Sequence, residues 1–353
     1  MIAVILDSNA LYGDPFLNSG NLKRLIAYSS LDKIDVLISE VVVEEVVNNN
    51  RNKIKTTLEK VKGQIKTIND VSGTQSVVLT GIDIEKIEVE LRERIEDLVQ
   101  KGAIVKVPYK NDLLPELMNR ALHKIMPFKE NKEEFRDSVI WLSIVDYLKE
   151  GKFDKAFFIS NNSSDYSDPK TGLLHKDLLN DFPNTKLYKN VKEFFSGEKE
   201  EINKLIPYEI STELISWASE NQKDESEIYS IIRENFFDEL SGKVSQVLSS
   251  LNVHDLDSEA FDGYVQPYDL DDFWIEDYEV DIDLDTVVVT GQCSTSNYVE
   301  LYQYNPVHDN SDEKFSYSGE VEVQVTIDFM FYMAPDQDGP YDFDITGIKT
   351  NAA

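Results

Sequence analysis

The stretch Ile2-Ala-Val-Ile-Leu6-Asp7-Ser8-Asn9 decides the fold. A short, continuous apolar run that stops at polar turn residues reads as a strand buried on both faces. Such strands belong to parallel sheets covered by helices on both sides. Asp7 then stands at the carboxyl end of the strand, where open α/β sheets gather their functional groups. Working outward, residues 34–38 and 155–160 read as two more buried strands, and 103–107 and 186–188 as shorter ones. Helical patterns separate them at about 21–29, 41–50, 51–70, 82–101, 133–150, 173–181 and 191–195. The clearest carries Ile84, Ile87, Leu91, Ile95 and Leu98 at three-to-four spacing, with Gly102 as its stop. Strands alternating with helices predict a three-layer α/β domain around a parallel central sheet.

The second half follows other periods. Residues 198–250 read as helical, with Leu205, Leu214, Trp217, Tyr229, Ile232, Phe236 and Leu240 on the apolar side. After Gly263 the pattern alternates, most clearly in 278–285 and 320–329. Alternation means one buried and one solvated face. Punctuation at Gly291, Pro306, Gly319, Pro335 and Gly339-Pro340 predicts a small antiparallel β domain. The expected organisation is 1–197, an α/β domain; 198–262, a helical connector; and 263–353, an acidic β domain.

Charge divides the chain in the same place. The net charge is −31. Residues 1–197 hold 28 Lys and Arg against 30 Asp and Glu, whereas 198–353 hold 7 against 36. The first part can approach a phosphate backbone, and the second repels one. The acidic part suits a basic protein partner or an autoinhibitory contact over basic residues of the first. A Ca²⁺ site at 269–272 or 281–285 is disfavoured, because no glycine-containing calcium loop is present. Cys293 is the only cysteine, which excludes an internal disulfide, and the four histidines show no zinc spacing. The start has no basic region or cleavage site, and no apolar stretch is long enough for a membrane span. A cytoplasmic protein is expected.

Four acids occupy the tips of these elements: Asp7, one of Glu44 and Glu45, Asp137 and Asp165. Carboxylates gathered at one sheet edge repel each other unless a cation joins them, and Mg²⁺ accepts oxygen ligands of this kind. Their contexts carry a family resemblance. Asp7-Ser-Asn9 after the first strand, the block Ile38-Ser-Glu-Val-Val-Val-Glu-Glu-Val46, the helix start Phe135-Arg-Asp137-Ser-Val-Ile-Trp141, and Phe158-Ile-Ser-Asn-Asn-Ser-Ser-Asp165-Tyr166 follow the four-motif order of the PIN-domain nucleases. The chain resembles a PIN-like branch with a long helical insertion between the second and third motifs. Ser39 departs from the proline common in the family.

The resemblance implies a Mg²⁺- or Mn²⁺-dependent endonuclease, with RNA as first substrate and single-stranded or structured DNA as the alternative. A non-catalytic scaffold binding nucleic acid or protein is the third reading. It implies Asp7, Glu45, Asp137 and Asp165 as catalytic metal ligands, with Glu44 competing for the place of Glu45. Asn9, Asn161, Arg51, Lys53, Lys55 and Arg136 are candidates for substrate contact. By analogy with the family, a toxin or anti-phage role and a homo-oligomer also come into view.

Overall fold

The computed structural model describes residues 2–72, 81–129, 135–151, 153–162, 165–206, 208–221, 223–258, 260, 262–305, 314–335, 337 and 339–352. The chain divides into two compact units, Met1–Glu200 and Glu201–Ala353.

The first unit runs β1 (Ile2–Leu6), α1 (Ser8–Leu11), α2 (Gly20–Ser30), β2 (Asp35–Ser39), α3 (Glu40–Ser72), α4 (Ile84–Gln100), β3 (Val105–Val107), α5 (Leu114–His123), α6 (Phe135–Glu150), β4 (Lys155–Ile159), α7 (Lys176–Asp181), β5 (Thr185–Tyr188) and α8 (Val191–Gly197). The strands form one parallel sheet in the order β3-β2-β1-β4-β5. The order reverses direction at β1, so a crevice opens between the carboxyl ends of β1 and β4.

Two-sided burial follows from strand geometry. Successive side chains alternate between faces. Phe157 of β4 packs on Phe194 of α8, with ring centroids 5.1 Å apart. Its neighbour Phe158 meets Trp141 of α6 edge-on at 5.7 Å. Both faces are therefore dry, which explains why the strands are apolar throughout rather than alternating.

The helices show where periodicity fell short. Residues 41–50 and 51–70, read separately from the sequence, form the single 33-residue α3. Val42, Val43, Val46 and Val47 anchor its first turns in the core, and the remainder is largely exposed. Arg51 reaches Glu88 of α4 at 2.5 Å, and Arg92 of α4 reaches Glu44 at 2.5 Å, so the two helices run laced by charge. The helix expected over 133–150 is described from Phe135 as α6; residues 133 and 134 lie outside the described residues.

No sequence pattern announced α5, although Pro115 occupies its first turn, a position suited to proline. Its Arg120 is buried. The guanidinium donates to both carboxylate oxygens of Asp181 (2.6 and 2.7 Å), to the Met126 carbonyl (2.7 Å) and to Glu116 (2.8 Å). Trp141 Nε1 donates to the same Asp181 at 2.8 Å. One buried arginine thus ties α5, α6 and α7 together.

The short α9 (Lys199–Asn203) spans the boundary. The second unit then runs α10 (Tyr208–Glu220), α11 (Glu225–Asn235), α12 (Phe237–Ser249), α13 (Val253–Leu256), β6 (Gly263–Pro267), β7 (Trp274–Asp283), β8 (Thr286–Tyr304), β9 (Phe315–Met333) and β10 (Tyr341–Ala352). Its sheet is antiparallel, in the order β10-β9-β8-β6, with β7 also paired to β8. The alternation in β9 is realised directly: Val323, Val325, Ile327 and Phe329 are buried, while Glu322, Gln324, Thr326 and Asp328 lie nearer the surface. Ile228 and Ile232 of α11 and Leu240, Val244 and Leu248 of α12 belong to the same core as those strand residues. Asp224 starts α11 with a reciprocal capping box with Glu227.

Two glycines read as turn punctuation lie inside strands instead. A Cβ on Gly291 of β8 would stand 2.5 Å from the Phe329 ring, so a glycine is needed for that close approach. Gly319 of β9 adjoins an irregularity in its register with β8, where a missing side chain eases the bend. Pro306 lies outside the described residues.

Cys293 is fully buried in β8, and burial pushes its thiol up to about 12. Alkylation requires the thiolate. Native protein at pH 8 is therefore expected to resist iodoacetamide, and labelling should follow urea unfolding of the second unit. Rapid labelling of the native chain would contradict this packing. Among the described residues, no helix is long and apolar enough to cross a membrane.

Candidate active site

The site is built at the crevice. β1 delivers Asp7, whose backbone N–H donates to the Ile159 carbonyl of β4 at 3.0 Å. Asp7 precedes α1 with extended dihedrals, yet its side chain makes no capping bond. The carboxylate is committed elsewhere: Oδ2 accepts from Ser160 Oγ at 2.7 Å and from Asn9 Nδ2 at 3.1 Å. Oδ1 is buried and has no partner among the described residues. Burial raises the Asp7 pKa above the ordinary carboxylate range, against the pull of those hydrogen bonds.

Glu45 projects from α3 toward the same place. Its side chain pairs with Arg136 of α6 at 2.6 Å. Burial raises its pKa as well, with the Arg136 charge opposing. Glu44, one residue earlier, points about 100° away around the helix. It takes a two-pronged hold from Arg92, which keeps its pKa low. Asp137 lies half-buried in the first turn of α6. Asp165 is buried beyond β4; Oδ1 accepts from Lys129 at 2.8 Å, and Oδ2 accepts from Asn162.

Tyr166 shows that these acids share one locality. Its ring packs edge-on against Phe158 at 4.6 Å, and the residue is fully buried. The hydroxyl has no partner among the described residues. Burial drives its pKa well above the usual phenol value, and the charges of Asp7, Asp137, Glu45 and Asp165 push it further. One phenol thus senses all four carboxylates.

The acids are not bare. Lys129 and Arg136 supply counter-charges to Asp165 and Glu45, which sequence reasoning had left without matching cations. Among the described residues, no three His, Cys, Asp or Glu side chains stand as a ready coordination sphere. The donor chemistry nonetheless suits a hard divalent cation: every acid offers oxygen, and Asp7 Oδ1 is a buried acceptor without a partner.

The remaining candidates are dispersed. Arg51, Lys53 and Lys55 lie on α3 between about 9 and 15 Å of axial rise beyond Glu45, and Arg51 is engaged with Glu88. Asn161 is exposed, and its neighbour Asn162 is the one bonded to Asp165. Lys129, Asn162 and Tyr166 were missed as site residues. Tyr166 adjoins a singled-out acid and was legible by adjacency. Lys129 lies in an unpatterned loop, so only folding brings it in.

Residues 4–166 match the family model of the PIN domain. This part of the chain is PIN-like, and PIN domains are generally metal-dependent nucleases that act on nucleic acid. The match covers the four acids and ends before the second unit. Comparison with curated proteins and with solved structures finds no match.

Proposed function

We propose that the protein is a divalent-metal-dependent endonuclease that hydrolyses phosphodiester bonds in single-stranded nucleic acid, RNA foremost. The observation carrying this reading is the buried Asp7 Oδ1, which has no partner among the described residues, together with the Tyr166 hydroxyl, likewise without one there and raised in pKa by burial and by the charges of all four acids. Unsatisfied buried polar atoms are costly, and a bound cation would satisfy a carboxylate oxygen of this kind. Asp7, Asp137 and Asp165 would hold Mg²⁺ or Mn²⁺, with Glu45 at its edge. The ion, when bound, neutralises phosphate charge and makes water a stronger nucleophile.

The chain's own residues do the rest. Glu45 accepts the proton of the attacking water, a task favoured by its raised pKa. The water oxygen bonds to phosphorus as the bond to the leaving oxygen breaks, and that oxygen takes a proton from solvent water. Arg136, 74% exposed at its side chain, engages a phosphate oxygen when it lets go of Glu45. Lys129 releases Asp165 in the same way. Asn9 and Ser160 fix the Asp7 carboxylate in orientation. Tyr166 keeps its proton at neutral pH and so remains a hydrogen-bond donor close to the acids whose charges it feels.

Labelled single-stranded RNA and DNA, incubated with the full chain and Mn²⁺, Mg²⁺ or EDTA, test the reading. EDTA-sensitive internal cuts support it, and the faster polymer fixes the substrate. A purified chain that cuts neither polymer under any metal sinks it. Tyr166→Phe gives a separate check. Cleavage should fall about 10- to 100-fold, the scale for groups that orient a metal site. Metal-free stability should stay level or rise, because an orphaned buried hydroxyl is removed. Unchanged cleavage would assign the phenol to packing alone. A toxin or defence role, which the family resemblance suggests, predicts growth arrest on induced expression that Asp7→Asn abolishes.

A further inference from the structure

A cleft of about 350 Å³ is lined by Val41, Tyr109, Asn111, Leu114, Phe135 and Arg136 among others. Its volume lies in the range of small-ligand pockets, about 300–1,000 Å³. Its walls are unusually apolar for a surface next to charged groups: Tyr109 and Phe135 are each 51% exposed, and Leu114 is 60% exposed. Lys110 on its rim is held by Glu150 at 2.7 Å and Asp146 at 3.4 Å. Arg136 is the seam, since it lines the cleft and also touches Glu45 at 2.6 Å.

We propose that this cleft is a nucleobase subsite, which takes the base adjoining the scissile phosphate of a single strand. The inference rests on the nuclease reading and specifies its substrate. Exposed aromatic rings offer faces on which any base can stack. The Asn111 amide offers a donor and an acceptor to a base's polar edge. Arg136 reaches from the cleft to the acids, so a nucleotide seated there sets its base on apolar walls and its phosphate at the carboxylates. A peptide or a second copy would fill the walls but bring nothing to Glu45. Bases inside a duplex are stacked and unavailable, so the subsite selects single strands.

The test uses the full-length Asp7→Asn chain with Mg²⁺, with and without Tyr109→Ala or Phe135→Ala. Labelled ten-nucleotide single-stranded RNA and DNA are titrated, together with oligomers carrying abasic positions and with a duplex. Each aromatic loss should weaken single-strand binding about 5- to 100-fold. That difference should vanish on a fully abasic oligomer, and the duplex should bind worst. Equal affinity across the variants overturns the subsite, while cleavage by wild type keeps the nuclease reading. Absence of both binding and wild-type cleavage removes both. Sedimentation that reveals a dimer dissociated by these substitutions assigns the cleft to a copy–copy contact and overturns the proposal.

Discussion

Asp7→Asn is expected to reduce cleavage by about 10²- to 10³-fold, the loss seen when a preorganised charge-stabilising group is removed. Fold stability should not fall with it. Asp7 is 1% exposed, its carboxylate is disfavoured by burial, and one oxygen has no partner among the described residues. An amide keeps the acceptor for Ser160 and Asn9 without the buried charge. Metal-free melting should therefore be at or above that of wild type. Mn²⁺ separates function from folding here. A ligand at 100 times its Kd stabilises by about 2.7 kcal/mol, which corresponds to about 5–10 °C for a domain of this size. Wild type should show that shift and Asp7→Asn should lose it. Glu44→Gln is the control, because Glu44 is engaged by Arg92 on another face of the helix. A full metal shift in Asp7→Asn would refute the assignment of Asp7 as a ligand.

Arg120→Leu should be among the most destabilising single substitutions in the first unit, at about 3–5 kcal/mol. The guanidinium is 4% exposed and serves four acceptors. Its removal strips Asp181 of its cation and leaves the Met126 carbonyl without that donor. Asp181 would retain the Trp141 indole N–H, which is insufficient to neutralise a carboxylate. Urea titration should place the midpoint well below that of wild type, and Arg120→Leu/Asp181→Leu should recover part of the loss. A midpoint within about 0.5 kcal/mol of wild type, the range for ordinary surface changes, would show that the network contributes little.

These two residues mark different depths of legibility. Asp7 was readable because its position follows from local pattern: an apolar run must end, and the first polar residue stands at the sheet edge. Asp137 and Asp165 were readable for the same reason, each at the tip of a periodic element. Glu45 and Glu44 were not separable from sequence. Both lie in the same turn, and only the azimuth of α3 separates them, turning Glu45 to Arg136 and Glu44 to Arg92. Arg120 was invisible, since its partner Asp181 is 61 residues away and no pattern links them.

The cations of the site make the same point. Arg136 carried a sequence-level suspicion because it precedes Asp137, whereas Lys129 had none. Its pairing with Asp165, 36 residues on, exists only once the loop before α6 is laid against the end of β4. The basic residues Arg51, Lys53 and Lys55 are spread along α3 beyond Glu45, with Arg51 engaged by Glu88. Chain proximity to Glu45 suggested nearness to the site, but a continuous helix carries charge away at about 1.5 Å per residue.

The sequence by itself determined the buried parallel strands, the alternating strands of the second unit, and the acids at the strand and helix ends. Each depends on periods of two or 3.6 residues, which are properties of the local backbone. The tertiary structure alone decided which cations answer the acids, and that the Tyr166 hydroxyl feels all four charges while having no partner among the described residues. Those outcomes depend on how distant elements are turned and docked, and burial then fixes the energetic value of each charge.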